Sequence, residues 1–205
     1  NLAAESASLL GEFAFLNNCI ETITLKANTA LHQVNTYSIK IQSLASQNKF
    51  QESIQTAKLI LEKLGTFFPE NPTPENFFEG INEIRLLMGE RKAEDLFHLP
   101  KMLDPEKLAV MNIAASLIPT AFNAGSPLFP LLIILMVNLS IRFGNSPAST
   151  FGYTNYGILL GNLMKDIPQA DEFRKLAHKL AMEPESKPFR AGTFTGIGIF
   201  LLHRT

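Results

Sequence analysis

The side chains able to do chemistry are few and scattered. His32, His98, His178 and His203 lie far apart, and no spacing among them suits a shared metal ion. Cys19 is the single cysteine, so no disulfide forms within the chain, and a reducing compartment suits it. It reads as a small buried apolar residue rather than a nucleophile, because no histidine partner is indicated. Glu94-Asp95 and Asp104/Glu106 come nearest to paired carboxylates. Asp104 precedes Pro105 and reads as a helix cap, and Glu106 as a first-turn acid facing the macrodipole. Glu94 and Asp95 read as caps of a short turn toward Leu96. HExxH, CxxC, EF-hand, GxxxxGK[ST] and GxSxG patterns are all missing from the sequence. Gly192, Gly196 and Gly198 follow no strand pattern and read as small residues that let helices approach closely. No catalytic residue, metal ligand or cofactor-binding residue is assigned, and no cofactor is expected.

One polar stripe stands apart. Asn138 and Arg142 lie four residues apart on the most apolar segment of the chain, and Asn145 follows three later. Polar groups on so greasy a helix must be hydrogen-bonded or face a groove. Two readings stay open. Asn138 and Arg142 bond neighbouring backbone while Asn145 ends the helix, or the three contact a partner in a concave groove.

The elements that carry these residues follow from composition and periodicity. The 205 residues hold 18 Lys plus Arg against 19 Asp plus Glu, a formal charge of −1, which excludes a basic nucleic-acid-binding stripe. Charged residues are 18 %, below the usual share of about 25 %, so part of the exterior is expected to be covered by a partner. The apolar run Leu128 to Ile141 is shorter than the roughly 20 residues a membrane span needs, and contains Pro130, Asn138 and Ser140. It reads as a buried helix. The Asn138-Leu139-Ser140 sequon inside it is discounted, since no secretion signal precedes it. The chain starts at Asn1 and stops at Thr205 just after a helix-like run, so both ends read as cuts through a longer protein.

Helical spacing recurs throughout and strand-type alternation is nearly absent. Ile54, Ala57, Leu61 and Leu64 share one helix face, as do Phe77, Ile81, Ile84 and Met88, and Leu108, Met111, Ala115 and Ile118. Thr73-Pro74, Asp104-Pro105, Ser126-Pro127 and Ser146-Pro147 each pair a capping side chain with a proline suited to the first helical position. Gly65, Gly89, Gly125 and Gly144 mark helix ends. The spacing predicts helices near 2–17, 19–31, 34–47, 50–64, 74–88, 105–124, 127–143, 147–163, 167–182 and 186–203, with a kink at Pro119. Residues 67–74 (FFPENPTP) read as a linker. It separates an N-terminal helical repeat part, residues 1–66, from a C-terminal part, residues 75–205, of the same solenoid. Asn48-Lys49-Phe50-Gln51-Glu52-Ser53 is echoed by Lys165-Asp166-Ile167-Pro168-Gln169-Ala170, an offset that fits three units of about 39 residues. Each copy sets a large apolar residue after a polar turn and a small residue three later, as in tetratricopeptide turns. The expected fold is all-α: a tetratricopeptide-like right-handed α-solenoid of stacked antiparallel helix hairpins.

The run Leu99 to Gly161 carries a family resemblance. LPKM followed by DPEKLAVM, then MVNLSIRFGNSP, then the aromatic FGYTNYG, resembles the helical region of very large multidomain signalling proteins. Those chains join a serine/threonine-kinase-like domain, an AAA-type NTPase module, a helical repeat region, a GAF domain and a sensor histidine kinase. Upstream, NKFQESIQTAKLILEKLG resembles the preceding repeat unit, with Phe67-Phe68-Pro69 as its exit. Ser53 stands where such repeats prefer Ala, and His203-Arg204 where an aromatic is expected. The resemblance implies that catalysis lies in other domains. This region would then be a non-catalytic, cytoplasmic scaffolding module that links NTPase and sensor-kinase parts. Its expected partner is a protein, either the chain's own flanking domains or a signalling partner, with no nucleic acid and no membrane span; self-association into a homo-oligomer is compatible with it. The alternative is a small-molecule sensor. The chain has 16 Phe, 3 Tyr and no Trp, and such rings can line an apolar pocket between helices.

Overall fold

Capping chemistry sets several of the helix starts. In the computed structural model, which describes residues 6–7, 12–26 and 29–201, Asp104 Oδ1 accepts from the amides of Glu106 (2.8 Å) and Lys107 (3.2 Å). Asn76 Oδ1 accepts from the Thr73 amide at 3.1 Å. These caps satisfy donors that the first helical turn leaves without partners. They open α5 (Pro105–Asn123) and α4 (Pro74–Met88). The remaining helices are α1 (Phe13–Lys26), α2 (Ala30–Ser46), α3 (Phe50–Lys63), α6 (Leu128–Phe143), α7 (Ser149–Leu159), α8 (Ile167–Ala181) and α9 (Arg190–Gly196). 3₁₀ turns cover Ala93–His98 and Pro184–Phe189, and π turns cover Leu160–Met164 and Ile197–Leu201. The fold is all-α: among the described residues the only strand-like pairing is one isolated parallel bridge between Lys101 and Asn145.

Four expected starts differ. α1 runs through Asn17-Asn18, where a break between 17 and 19 was expected. Asparagine costs a helix well under 1 kcal/mol relative to Ala, too little to stop it. The next start lies at Ala30, with the Thr29 hydroxyl accepting from the His32 amide at 3.3 Å. Ser146 does not cap α7. Instead the Ser149 hydroxyl accepts from the Ser146 amide at 2.9 Å, and the helix begins there. Residues 186–203 are not one helix but a 3₁₀ turn, a short α-helix and a π turn. The α-helical part starts only at Arg190 and gives way to the π turn at Ile197. The outer part of helix 2–17 and the His203-Arg204 pair lie outside the described residues. α5 continues through Pro119 as one element.

The sequence echo has a structural counterpart. Asn48 and Lys165 are the only non-glycine residues at positive φ among those described, both at 59°. Each precedes a helix start by two residues. The amides that follow also correspond: Lys49 donates to Leu44 O (2.9 Å) and Asp166 to Leu160 O (3.0 Å). The second turn holds one residue more, which the π turn at Leu160–Met164 accommodates. Ser53 and Ala170 are both buried. The Ser53 hydroxyl donates to Ile41 O at 2.9 Å and so fixes α3 on α2. Gly65, Gly89, Gly125 and Gly144 are also at positive φ; of these, Gly65 and Gly125 close turns of the same kind as Asn48, with Thr66 N donating to Leu61 O (2.8 Å) and Ser126 N to Ala121 O (2.9 Å).

Packing follows chain order with one displacement. α2 pairs with α3, α5 with α6, and α7 with α8; α3 rests on α5, α6 on α7, and α9 on α7. α4 lies instead across α6, and the 3₁₀ turn Ala93–His98 that follows it rests on α8. A single core runs through this array, from Val34 and Ile41 to Leu176 and Leu180, and includes Phe77 and Ile81 beyond the 67–74 linker. Cys19 is half-buried in a small separate cluster with Ala7, Leu16 and Ile20. Gly196 permits the α9–α7 contact: a Cβ there would lie 2.7 Å from Thr154 Cγ2.

Two buried phenols make the fold sensitive to alkali. Tyr153 and Tyr156 flank Phe173, with ring centroids at 5.9 and 4.8 Å. Burial pushes the Tyr156 phenol up to about 12 and that of Tyr153 higher still. An unfolded phenol titrates near pH 10, so above that pH the unfolded chain releases protons that the folded chain keeps. Stability therefore falls as pH rises from about 10 toward 12. Thermal melts across this range should show a falling Tm and a shallower fall in Tyr156→Phe. A flat profile would count against both burials.

Candidate functional site

α6 positions all three residues of the polar stripe, but they serve two different places. Asn138 and Arg142 converge on Glu83 of α4. Asn138 Nδ2 donates to Glu83 Oε2 at 2.7 Å, and Arg142 Nη2 donates to Glu83 Oε1 at 2.7 Å. This pairing adds to the apolar contact of α4 on α6, where Phe77, Ile81 and Ile84 join the core and Gly80 packs against Ile134. Asn138 is 9 % exposed, and its Oδ1 has no hydrogen-bond partner. The Glu83–Arg142 pair is about half exposed on both sides, so solvent and salt weaken it. Removing the carboxylate by Glu83→Ala leaves the buried Asn138 amide without an acceptor. The expected cost is about 2 kcal/mol, against less than about 1 kcal/mol for Glu83→Gln, which keeps an acceptor. Denaturant melts of the two variants measure the difference.

Asn145 does something else. It follows Gly144, which sits at φ 97° and turns the chain out of α6 toward the segment Leu99 to Leu103. The Asn145 amide donates to Pro100 O (2.8 Å), and Asn145 O accepts from the Met102 amide (2.9 Å). Its side chain is also used: Nδ2 donates to Leu96 O at 2.7 Å, and Oδ1 accepts from the Tyr153 hydroxyl at 2.9 Å. Asn145 thus ties α6, α7, the 3₁₀ turn Ala93–His98 and the extended segment 99–103 together.

That segment forms one wall of a groove of about 800 Å³. Phe97, Leu99, Met102 and Leu103 come from this wall, Leu108 and Asn112 from α5, and Leu180, Pro188 and Phe189 from the far side. The lining is mostly apolar, and Leu103 is 84 % exposed. Its charged lining residues are Lys101, Glu183 and Glu185. Lys101 Nζ pairs with Glu185 Oε1, which bridges residues 84 positions apart. That contact holds the Lys101 ammonium above its ordinary range and the Glu185 carboxyl below its own. Lys179 Nζ lies 3.7 Å from the centroid of the Phe97 ring and braces it from behind.

Among the described residues no group of three or more His, Cys, Asp and Glu could hold a metal ion. Asp104 and Asp95 act as caps, the latter accepting from the Lys92 amide at 2.8 Å. His98 and His178 pack against Phe97 and Phe194. No described helix is long and apolar enough to cross a membrane. The residues that sequence spacing missed are Glu83, Phe97, Lys101, Glu185 and Phe189. Glu83, Phe97, Lys101 and Glu185 meet Arg142, Lys179, Glu185 and Lys101 across long separations, and Phe189 reaches the groove from the far side, none of which local periodicity encodes. No protein-family model, curated protein or solved structure matches the chain.

Proposed function

We propose that this chain is a non-catalytic docking region: a tetratricopeptide-like right-handed solenoid that scaffolds a large cytoplasmic signalling kinase between its NTPase and sensor-kinase modules. The observation that carries the docking role is the groove of about 800 Å³, apolar inside, charged only at three positions, and flanked by the exposed Leu103. An apolar trough with a polar rim suits a protein segment. The packing of consecutive helices in pairs, α2 with α3, α5 with α6 and α7 with α8, supports the solenoid reading. The kinase context rests on the resemblance of residues 99–161. A segment held in the groove would bias an inter-domain equilibrium if its affinity differed between two states.

The test has two parts. The complete reading frame is expected to encode a P-loop upstream and a histidine-kinase core downstream; neither would remove the kinase context. Hydrogen exchange of the chain with a binding peptide is expected to slow in residues 97–108 and 180–189. Protection elsewhere, or turnover of a nucleotide panel by the chain alone, would contradict the docking role.

A small-molecule sensor is the second reading. The groove volume lies in the range of ligand pockets, and Phe97 and Phe189 supply aromatic walls. Arg142 does not close it, being held by Glu83.

A further inference from the structure

We propose that the occupant of this groove is an extended peptide strand bearing a basic side chain, added to the free edge of the 99–103 segment; the proposal rests on the docking reading above. In the parallel bridge, Pro100 O and the Met102 amide face Asn145 and are satisfied by it. The pleat then turns the Lys101 N–H and C=O the other way. Neither group has a hydrogen-bond partner among the described residues. This is an unpaired strand edge, and Leu99, Lys101, Met102 and Leu103 of the same segment all line the apolar groove. An extended backbone offers a donor and an acceptor spaced to meet both groups while sending alternate side chains toward the groove. A helix has its own backbone bonds and would leave this edge to water.

Charge selects among such peptides. The groove carries one cation, Lys101, and two carboxylates, Glu183 and Glu185. Lys101 is spent on Glu185, and Glu183 has no ion pair among the described residues. Arg190 Nη2 lies 3.3 Å from Glu183 O and is bonded to backbone there, so the Glu183 carboxylate is the group open to an arginine or lysine of the incoming strand.

The probe is a random eight-residue peptide library displayed on phage and panned against the whole chain, with enriched sequences then synthesised with a fluorescent label. The proposal expects alternating apolar positions and at least one Lys or Arg. N-methylation at the amides of one register should weaken binding about tenfold or more, and methylation in the other register should have little effect. Lys101→Pro removes the edge donor and should weaken binding about tenfold. Lys101→Gln keeps the donor and removes the cation, so it should bind equally or more tightly. If Lys101→Pro fails to fold, the methylated peptides decide. Enriched peptides with apolar residues at helical spacing, or indifference to methylation in either register, would overturn the strand while leaving the docking role intact. No enrichment at all would overturn both.

Discussion

Gly144→Ala is expected to destabilise the protein by about 4 kcal/mol and to open the groove. Two effects add. The residue sits at φ 97° and ψ 172°, a region essentially reserved for glycine, where another residue costs about 1–3 kcal/mol. A Cβ there would also lie 2.1 Å from Pro100 O. That oxygen is backbone and cannot swing aside like the end of a side chain. The segment 99–103 must move, and the bonds from Asn145 N to Pro100 O and from Met102 N to Asn145 O are lost, at about 1 kcal/mol each. Chemical denaturation measures the first effect. Loss of peptide binding under conditions where the variant is still folded measures the second. A variant within about 0.5 kcal/mol of the parent would contradict the geometry at this turn.

Asn145→Ala is expected to cost about 3 kcal/mol. The hydroxyl of Tyr153 is the reason. Tyr153 has no solvent exposure, and Asn145 Oδ1 accepts its hydrogen bond. A buried hydroxyl left without that acceptor costs about 1–3 kcal/mol, and Leu96 O loses its donor as well. Removing both partners should be milder than the sum. In the Asn145→Ala, Tyr153→Phe double variant no orphaned phenol remains, so part of the loss should return. A double-mutant cycle reports this coupling directly; strict additivity would show that the two side chains act independently.

Much of the fold could be read from local pattern because local physics decides it. Thr73 and Asp104 announce helices since a cap needs only its own next turn. The burial of α6 follows from its composition, which excludes water whatever lies opposite. The echo between Asn48 and Lys165 was visible because the same turn demands the same residue classes. The site was less legible. Asn138, Arg142 and Asn145 stood out as polar groups on an apolar helix, but their partners lie elsewhere in the chain. Glu83 sits on a helix displaced from its chain neighbours, and Glu185 lies in the 3₁₀ turn that precedes α9, just before the helix expected from residue 186. Gly144 was legible as a helix stop. Its second role, close approach to Pro100 O, exists only once 99–103 has folded back along it.

Residue-resolved amide exchange of the free chain tests the central arrangement most directly. The Met102 and Asn145 amides are hydrogen-bonded across the bridge, whereas the Lys101 amide is not. Slow exchange is expected at Met102 and Asn145 and fast exchange at Lys101, with Lys101 slowing when a strand-forming peptide is bound. Fast exchange at Met102 and Asn145, or protection of Lys101 in the free chain, would mean that the segment is not pinned as described and that its edge is not open.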